Sequence, residues 1–429
     1  MPSPETVPSD DGGAAESVRP PARSKRRRSF LGRLRGPRQP ASRPTSTLPS
    51  EDPLSEPTAI WSEVGSLSSS QADSRSPCAA LASDGTLHVL WEEGNDIQHC
   101  YRRRGNWSPP TRVATGERPS LVVDEEGTPH ALFANEFGGN WEIYYVSWRF
   151  EVWSLPRNVS HTSGVSATPR IVLASDGTLH GVWSDTTPGY SVIYYARQIG
   201  SYWVNNQIPS ARGDAPAIAI DGKSRVHVVW QGQDPPLAPF EVYYSRWDGS
   251  DWTLPENISA KATAHSAICN LGTDSEGTAY LVWEQKEENG NWQVYYCYGR
   301  VGYWSVPENI SQAPEPCHLA RIVVSAQDYL YVGWSEGTAL WSCRKGAKAD
   351  AWFPAETVAS NSLGLEDLDL AVGPEGRVHA VWSGHVNGGL RSIFHGERPP
   401  AMQRRIFNPL TMGKQRRWKK RRRSKTGRR

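Results

Sequence analysis

Methionine occurs three times in this chain of 429 residues, and phenylalanine eight times. Six cysteines in such a length do not make a disulfide scaffold. No stretch approaches the roughly eighteen consecutive apolar residues a membrane-spanning helix needs, so that class is excluded. The opening MPSPETVPSDDGGAAES lacks the apolar core of a secretory signal, which sets the expectation of a cytoplasmic protein. Residues 61–397 hold no long stretch of helical periodicity. Gly-rich phosphate loops, a nucleophile elbow and a His-Glu-x-x-His pattern are all missing, so no cofactor is expected. What is abundant is tryptophan, at nineteen, tyrosine, at sixteen, and the turn formers glycine and proline, at 38 and 33. Hydrophobic residues make up 38%, low but enough for a core in a chain this long.

Charge is unevenly placed. Residues 1–60 carry ten Lys/Arg against seven Asp/Glu, and 398–429 carry fourteen against none. The middle, 61–397, carries 23 against 38. An acidic centre therefore sits between two basic ends, which bears on partners and solubility rather than on fold. The stretch 1–58, rich in Pro, Ser and Arg, buries too little apolar surface to offset chain entropy and is expected to be disordered. The same holds for 398–429. Its run 414–429 has eleven basic residues in sixteen. Lys414, Arg416, Arg417, Trp418, Lys419, Lys420, Arg421, Arg422, Arg423 and Lys425 are its candidate contacts to a polyanion. Trp418 suits stacking on a base or insertion at a lipid headgroup.

Internal repeats dominate the acidic centre. A short apolar run leads to an Asp/Gly turn and then to segments such as SDGTLHGVW (175–183). A Val/Ile-Tyr-Tyr run follows. The unit ends on Trp-Ser/Thr-x-Pro-x-Asn-Ile/Val-Ser, as in WTLPENIS (252–259) and WSVPENIS (304–311). Each part has four to eight residues, β-branched or aromatic, bounded by turn formers, which is the pattern of strands. Asp84-Gly85, Asp176-Gly177 and Asp221-Gly222, with Asp124 to Gly127 and Asp274 to Gly277, read as tight hairpins between the first and second strands.

The second-strand aromatic recurs seven times, at Trp91, Phe133, Trp183, Trp230, Trp283, Trp334 and Trp382. The fourth-strand tryptophan recurs only six times in step with it, at 107, 153, 203, 252, 304 and 352. The seventh is upstream, at Trp61, which has no first, second or third strand before it. The last repeat, 368–397, stops where its fourth strand should begin. A sheet of about fifty residues cannot bury both its faces, but seven arranged radially bury one another. The expected fold is all-β: a seven-bladed β-propeller of four-stranded antiparallel blades over 59–397. An N-terminal strand around Trp61 completes the last blade, so the ring closes without a covalent link. First strands are innermost, and thirteen of the nineteen tryptophans are structural, each burial giving a gross stabilisation of about 4–6 kcal/mol.

Other candidates have plain readings. His88, His130, His180, His227 and His379 share one repeat position, replaced by Tyr280 and Tyr331 in the other two units. Each lies in a different blade, too dispersed for ligand bonds of about 2.0–2.3 Å to one metal, so no metal site is expected. Cys78, Cys269 and Cys317 fall on first strands, and Cys100, Cys297 and Cys343 on third strands of the same units. With a strand between them, their Cα atoms are roughly 10 Å apart, too far for a bridge. Asn106, Asn158, Asn257 and Asn309 match the glycosylation pattern but read as turn formers. The pairs Glu92-Glu93, Glu125-Glu126 and Glu287-Glu288 read as solvated turns.

The Asp-Gly-x-x-His-Val-x-Trp, Ile-Tyr-Tyr and Trp-Ser-x-Pro pattern resembles the repeats of sialidase-like β-propellers, the BNR-repeat group, over 61–397. The resemblance specifies architecture more than activity. Sialidase Asp-boxes read Ser-x-Asp-x-Gly-x-Thr-Trp. Here Trp91 and Trp183 follow their glycines, Gly85 and Gly177, by six residues instead of three. Membership would imply three arginines on a substrate carboxylate and a Tyr–Glu nucleophile pair. The nearest match to the usual Arg-Ile-Pro segment, Arg170-Ile171-Val172, lacks the proline, and no catalytic residue carries over. A looser similarity, through VYYSRWDGSDW (242–252), is to propeller lectins.

The function expected is that of a non-catalytic binding scaffold, a monomer offering its axial face to a protein or glycan. Its basic tails would hold a polyanion, a nucleic acid or an anionic membrane surface, placing the protein at a membrane or the nucleoid. The alternatives are a sialidase-like glycoside hydrolase with an axial pocket, and a propeller lectin. Arginines and acids converging on the axis would favour the hydrolase. Small apolar and backbone groups there would favour the scaffold.

Overall fold

The β-branched and aromatic runs of the repeat form strands, and the second strands are buried on both faces because each sheet lies between two neighbouring sheets. A computed structural model describes residues 61–400, apart from 63–64, 69–71, 235–237, 260–264, 361–363 and 386–388. The segment 1–58 and the ten polyanion candidates of the C-terminal run lie outside the described residues. Seven antiparallel sheets follow in chain order. Blade 1 spans 74–115, blade 2 spans 117–158, blade 3 spans 166–212 and blade 4 spans 214–257. Blade 5 spans 266–309, blade 6 spans 317–359, and blade 7 joins 368–398 to 65–66. The first strand of each blade lies against the first strand of the next, and that of blade 7 against that of blade 1, so these seven line the axis. No helix among the described residues is long and apolar enough to cross a membrane.

Ring closure depends on the Trp61 segment, as expected from the missing last strand. Gly65–Ser66 pairs antiparallel with Arg391–Arg398, placing Gly65 opposite His395 and Ser66 opposite Phe394. The pairing is extended at both ends. Ser62 N–H donates to the Glu397 carbonyl at 2.8 Å, and Leu67 N–H to that of Ile393 at 2.7 Å. Trp61 is buried beside Trp382 and Leu340, and its Nε1–H donates to Ser342 Oγ of blade 6 at 3.2 Å.

The outer tryptophans do the same work around the rest of the ring. Each presents a ring edge to the third strand of the preceding blade: Trp252 on Tyr195, Trp304 on Tyr244, Trp352 on Tyr296 and Trp107 on His395. Proline in the Trp-Ser/Thr-x-Pro segment cannot donate to the ladder. It breaks the outer strand into two short pieces, as in Tyr303–Trp304 and Glu308–Asn309. The closing serine of Asn-Ile/Val-Ser repairs the gap, since Ser160, Ser259 and Ser311 accept the third-strand N–H of Ile143, Val242 and Val294 at 2.8–3.0 Å. Asn158 and Asn309 accept the N–H three residues on and so hold the turn that follows the strand.

The repeated histidines are committed inside their own blades. His130, His180 and His227 bond the third-strand Tyr145, Tyr195 and Tyr244 at 2.6–2.8 Å. Blades 1 and 7 instead hold stacked imidazole pairs, His88–His99 and His379–His395, each bonded at 3.0 Å. All six cysteines are free and buried. Burial pushes the thiols of Cys100 and Cys269 up to about 12.

Candidate functional site at the propeller axis

The first strands carry prolines inside them: Pro77, Pro119, Pro169 and Pro216 lie two or three residues past the strand starts at Ser74, Glu117, Ser166 and Asp214. Each proline is the second residue of a bulge, where its missing N–H leaves no ladder bond unmade. The residue before it is left-handed. Ser76, Arg118, Thr168, Ala215, Ile268 and Leu319 have φ between 45° and 62° in blades 1 to 6. For β-branched Thr168 and Ile268 this conformation costs on the order of 1–3 kcal/mol each.

Neighbouring blades hold these bulges by their N–H groups. Glu92 accepts from Arg118, Gln231 from Ile268 and Glu284 from Leu319, each acceptor standing directly after a second-strand tryptophan. Glu92 is therefore buried at an inter-blade joint, which corrects its reading as part of a solvated turn. Burial is the main cause of its raised carboxyl pKa, against the pull of the Arg118 N–H. Glu125 and Glu126 do sit in an exposed turn.

Two residues beyond each bulge residue, one side chain per blade faces the axis. In chain order these are Cys78, Ser120, Arg170, Ala217, Asn270 and Arg321, with Asp369 at the matching position of blade 7. Three of them reach the following blade. Ser120 Oγ accepts from Ile171 N–H at 3.1 Å, Asn270 Oδ1 from Ile322 N–H at 3.1 Å, and Asp369 Oδ2 from Ala79 N–H at 3.0 Å. Arg170 and Arg321 behave differently. Each donates one bond of 3.0 Å to the carbonyl of the residue before it, Pro169 and Ala320, and neither joins an ion pair among the described residues.

These groups line a cleft of about 380 Å³ between the seven first strands, with Arg118 and Asp367 at its mouth. Such a volume suits a small ligand. Burial lowers the pKa of Arg170, and Arg321 facing it lowers it further, while Asp369 opposes both. Burial raises the pKa of Asp369 against the Ala79 N–H and the two guanidiniums. Asp367 is spent on structure, accepting from Ser76 N–H at 2.9 Å and Ser383 Oγ at 3.2 Å. Arginines and acids thus converge on the axis, the arrangement expected of the hydrolase. The tyrosine that a Tyr–Glu pair requires is missing from the described lining. Sequence reading met Arg170 only as a failed Arg-Ile-Pro match and did not single out Arg118, Arg321 or Asp369. For Arg170, Arg321 and Asp369 the available signal was their common place directly before an apolar run, 171–173, 322–324 and 370–372.

A second cleft, of about 420 Å³, opens between blades 7 and 1 on the face that carries the Asp-Gly hairpins. Beside it, ligand atoms of His379, His395 and Glu397 lie within 4.8 Å of one another. They are already engaged: the imidazoles bond each other, and Glu397 pairs with Arg102 and Arg377.

No family profile matches the sequence, and no curated protein is detectably similar. Among solved structures, an ulvan lyase, which is a polysaccharide lyase, aligns at TM-score 0.57 and 11% identity, covering 75% of this chain and 94% of that one. Another polysaccharide lyase aligns at TM-score 0.53 and 9% identity, covering 80% and 92%. A protein of unknown function from Dyadobacter fermentans aligns at TM-score 0.51 and 11% identity, covering 79% and 98%. The likeness is one of fold alone: this chain is a seven-bladed β-propeller.

Proposed function

We propose that the protein is a binding module whose axial cleft receives a small anionic group carried by a glycan or other ligand. The observation that carries this reading is the pair Arg170 and Arg321, two half-buried guanidiniums facing one another without an ion pair. Folding gains nothing by bringing like charges together in a cleft, and an incoming anion relieves both. The missing tyrosine favours binding over sialidase-type turnover. The ulvan lyase is known with a -[GlcA(1-4)Rha3S]- saccharide bound, which makes glucuronate a sensible first probe.

The test is calorimetric titration of D-glucuronate into the full chain and into a double variant, Arg170→Met with Arg321→Met. Saturable binding of one equivalent that disappears in the variant supports the reading. Binding unaffected by the substitutions would remove it. Release of the fluorophore from a sialoside panel between about pH 4 and 8 would replace it with the hydrolase.

For the run 414–429 we propose attachment to a polyanion. Eleven charges in sixteen residues suit many phosphate contacts, so affinity should fall steeply with salt. Deleting 403–429 should abolish salt-sensitive binding to DNA, RNA or anionic vesicles while leaving the propeller folded. Retention of that binding in the truncated protein would exclude the role.

A further inference from the structure

We infer that the axial cleft selects singly charged acid groups, carboxylates and sulfate esters, over doubly charged phosphate monoesters, and that Asp369 sets this choice. The inference rests on the anion-binding reading of the same cleft. At cleft depth the ionisable oxygens and nitrogens belong to Arg170, Arg321 and Asp369. Two cations and one carboxylate leave a single positive charge in excess. At the mouth Arg118 is paired with Glu117, Asp367 accepts from Ser76 N–H and Ser383 Oγ, and Glu366 is paired with Arg391. A monoanion therefore completes a neutral site.

A dianion would leave one negative charge uncompensated beside Asp369. Its attraction to the site doubles, but its desolvation penalty grows with the square of its charge, so the second charge is held at a loss. Asp369 cannot swing away to make room. Its Oδ2 is fixed by the Ala79 N–H at 3.0 Å, a bond that crosses from blade 7 to blade 1. Across the other six blades the equivalent residue is neutral or basic, so the carboxylate at this position belongs to the closing blade alone.

Three probes share one sugar and differ in the head group: D-glucuronate, D-glucose 6-sulfate and D-glucose 6-phosphate, with D-glucose as the uncharged control. At pH 7.5 the phosphate, with a second pKa of about 6, is mostly a dianion. Titrated into the full chain, glucuronate and the sulfate should bind at least about tenfold more tightly than the phosphate. Asp369→Asn keeps an acceptor for the Ala79 N–H and removes the charge. In that variant the phosphate should gain at least about tenfold and the gap should close.

Phosphate binding as tightly as the monoanions in the wild-type chain overturns the selectivity while leaving the anion-binding reading intact. Unchanged discrimination in Asp369→Asn overturns the role of Asp369. Failure of all three charged probes to bind, or binding no tighter than glucose, overturns the inference together with the reading beneath it.

Discussion

Blade 7 and the six blades before it are built from one repeat, yet they differ at both edges of the sheet. In blades 1 to 6 the first strand is bulged and its outer strand comes from the same repeat. In blade 7 the first strand, Leu368–Val372, pairs with its neighbour without a shift, and the outer strand is lent by the N-terminal segment. The axial residues change with it. Only this blade places a carboxylate, Asp369, at the axial position where the others carry neutral or basic side chains. A blade completed from two ends of the chain has no covalent link on one side. Ion pairs gather there instead. Arg102 and Arg377 hold Glu397, Arg391 bridges Asp73 and Glu366, and Arg398 forms a fork on Glu356 of blade 6. Ion pairs are thus concentrated at closure, although the joint between blades 5 and 6 also carries Lys348 on Glu276 and His318 on Glu284.

Removing the lent strand should separate the two kinds of blade most strongly. Deleting residues 1–72 should destabilise the propeller by at least about 4 kcal/mol, since Trp61 alone is worth about 3–5 kcal/mol. Deleting 1–50 should leave the melting temperature nearly unaltered. Equal melting of the two truncated proteins would contradict closure by this segment.

Acid should attack the two blades that carry paired imidazoles, blades 1 and 7. Burial holds the imidazoles of His88 and His379 down at about 4, and those of His99 and His395 at about 3, against an ordinary 6.5. The folded state keeps these rings neutral while the unfolded chain takes up protons below 6.5. Their contribution is therefore full above pH 6.5 and is lost as pH falls towards 3. His99→Tyr with His395→Tyr restores the His–Tyr pair of blades 2 to 4 and should flatten that slope in urea melts taken at successive pH values. A slope as steep as that of the wild-type chain would show that the pairs do not govern acid stability. A smaller effect is expected from Glu397→Gln, which leaves Arg102 and Arg377 without their shared carboxylate. The expected loss is about 1–3 kcal/mol by denaturant titration, and a neutral outcome would mean that the seam between blades 7 and 1 is held by packing alone.

Much of this architecture was legible in the order of residues, and the reasons are physical. A tryptophan that must wedge between sheets recurs at each blade, so counting Trp91 to Trp382 counts blades. The unpaired Trp61 then exposes how the ring closes. The cleft was not legible, because its residues share a position without sharing a type. Cys78, Ser120, Arg170, Ala217, Asn270, Arg321 and Asp369 look unrelated in sequence. Their equivalence depends on bulges that only the strand register reveals. The repeated imidazoles fall one to a blade, as their spacing implies. The partner of each ring, a tyrosine or a second histidine on the third strand, required the register.

Thermal melting of the wild-type chain and of Arg170→Met with Arg321→Met, each with and without saturating D-glucuronate, tests the account at its centre. Two unpaired guanidiniums kept for a ligand should oppose folding until it arrives. The variant is therefore predicted to melt at the same temperature as the unliganded wild type or slightly higher, by up to about 1 kcal/mol, and to ignore glucuronate. The wild type should be stabilised by glucuronate. A variant that melts well below the wild type without ligand would show that the two arginines hold the ring together, and the anion-binding account would be contradicted.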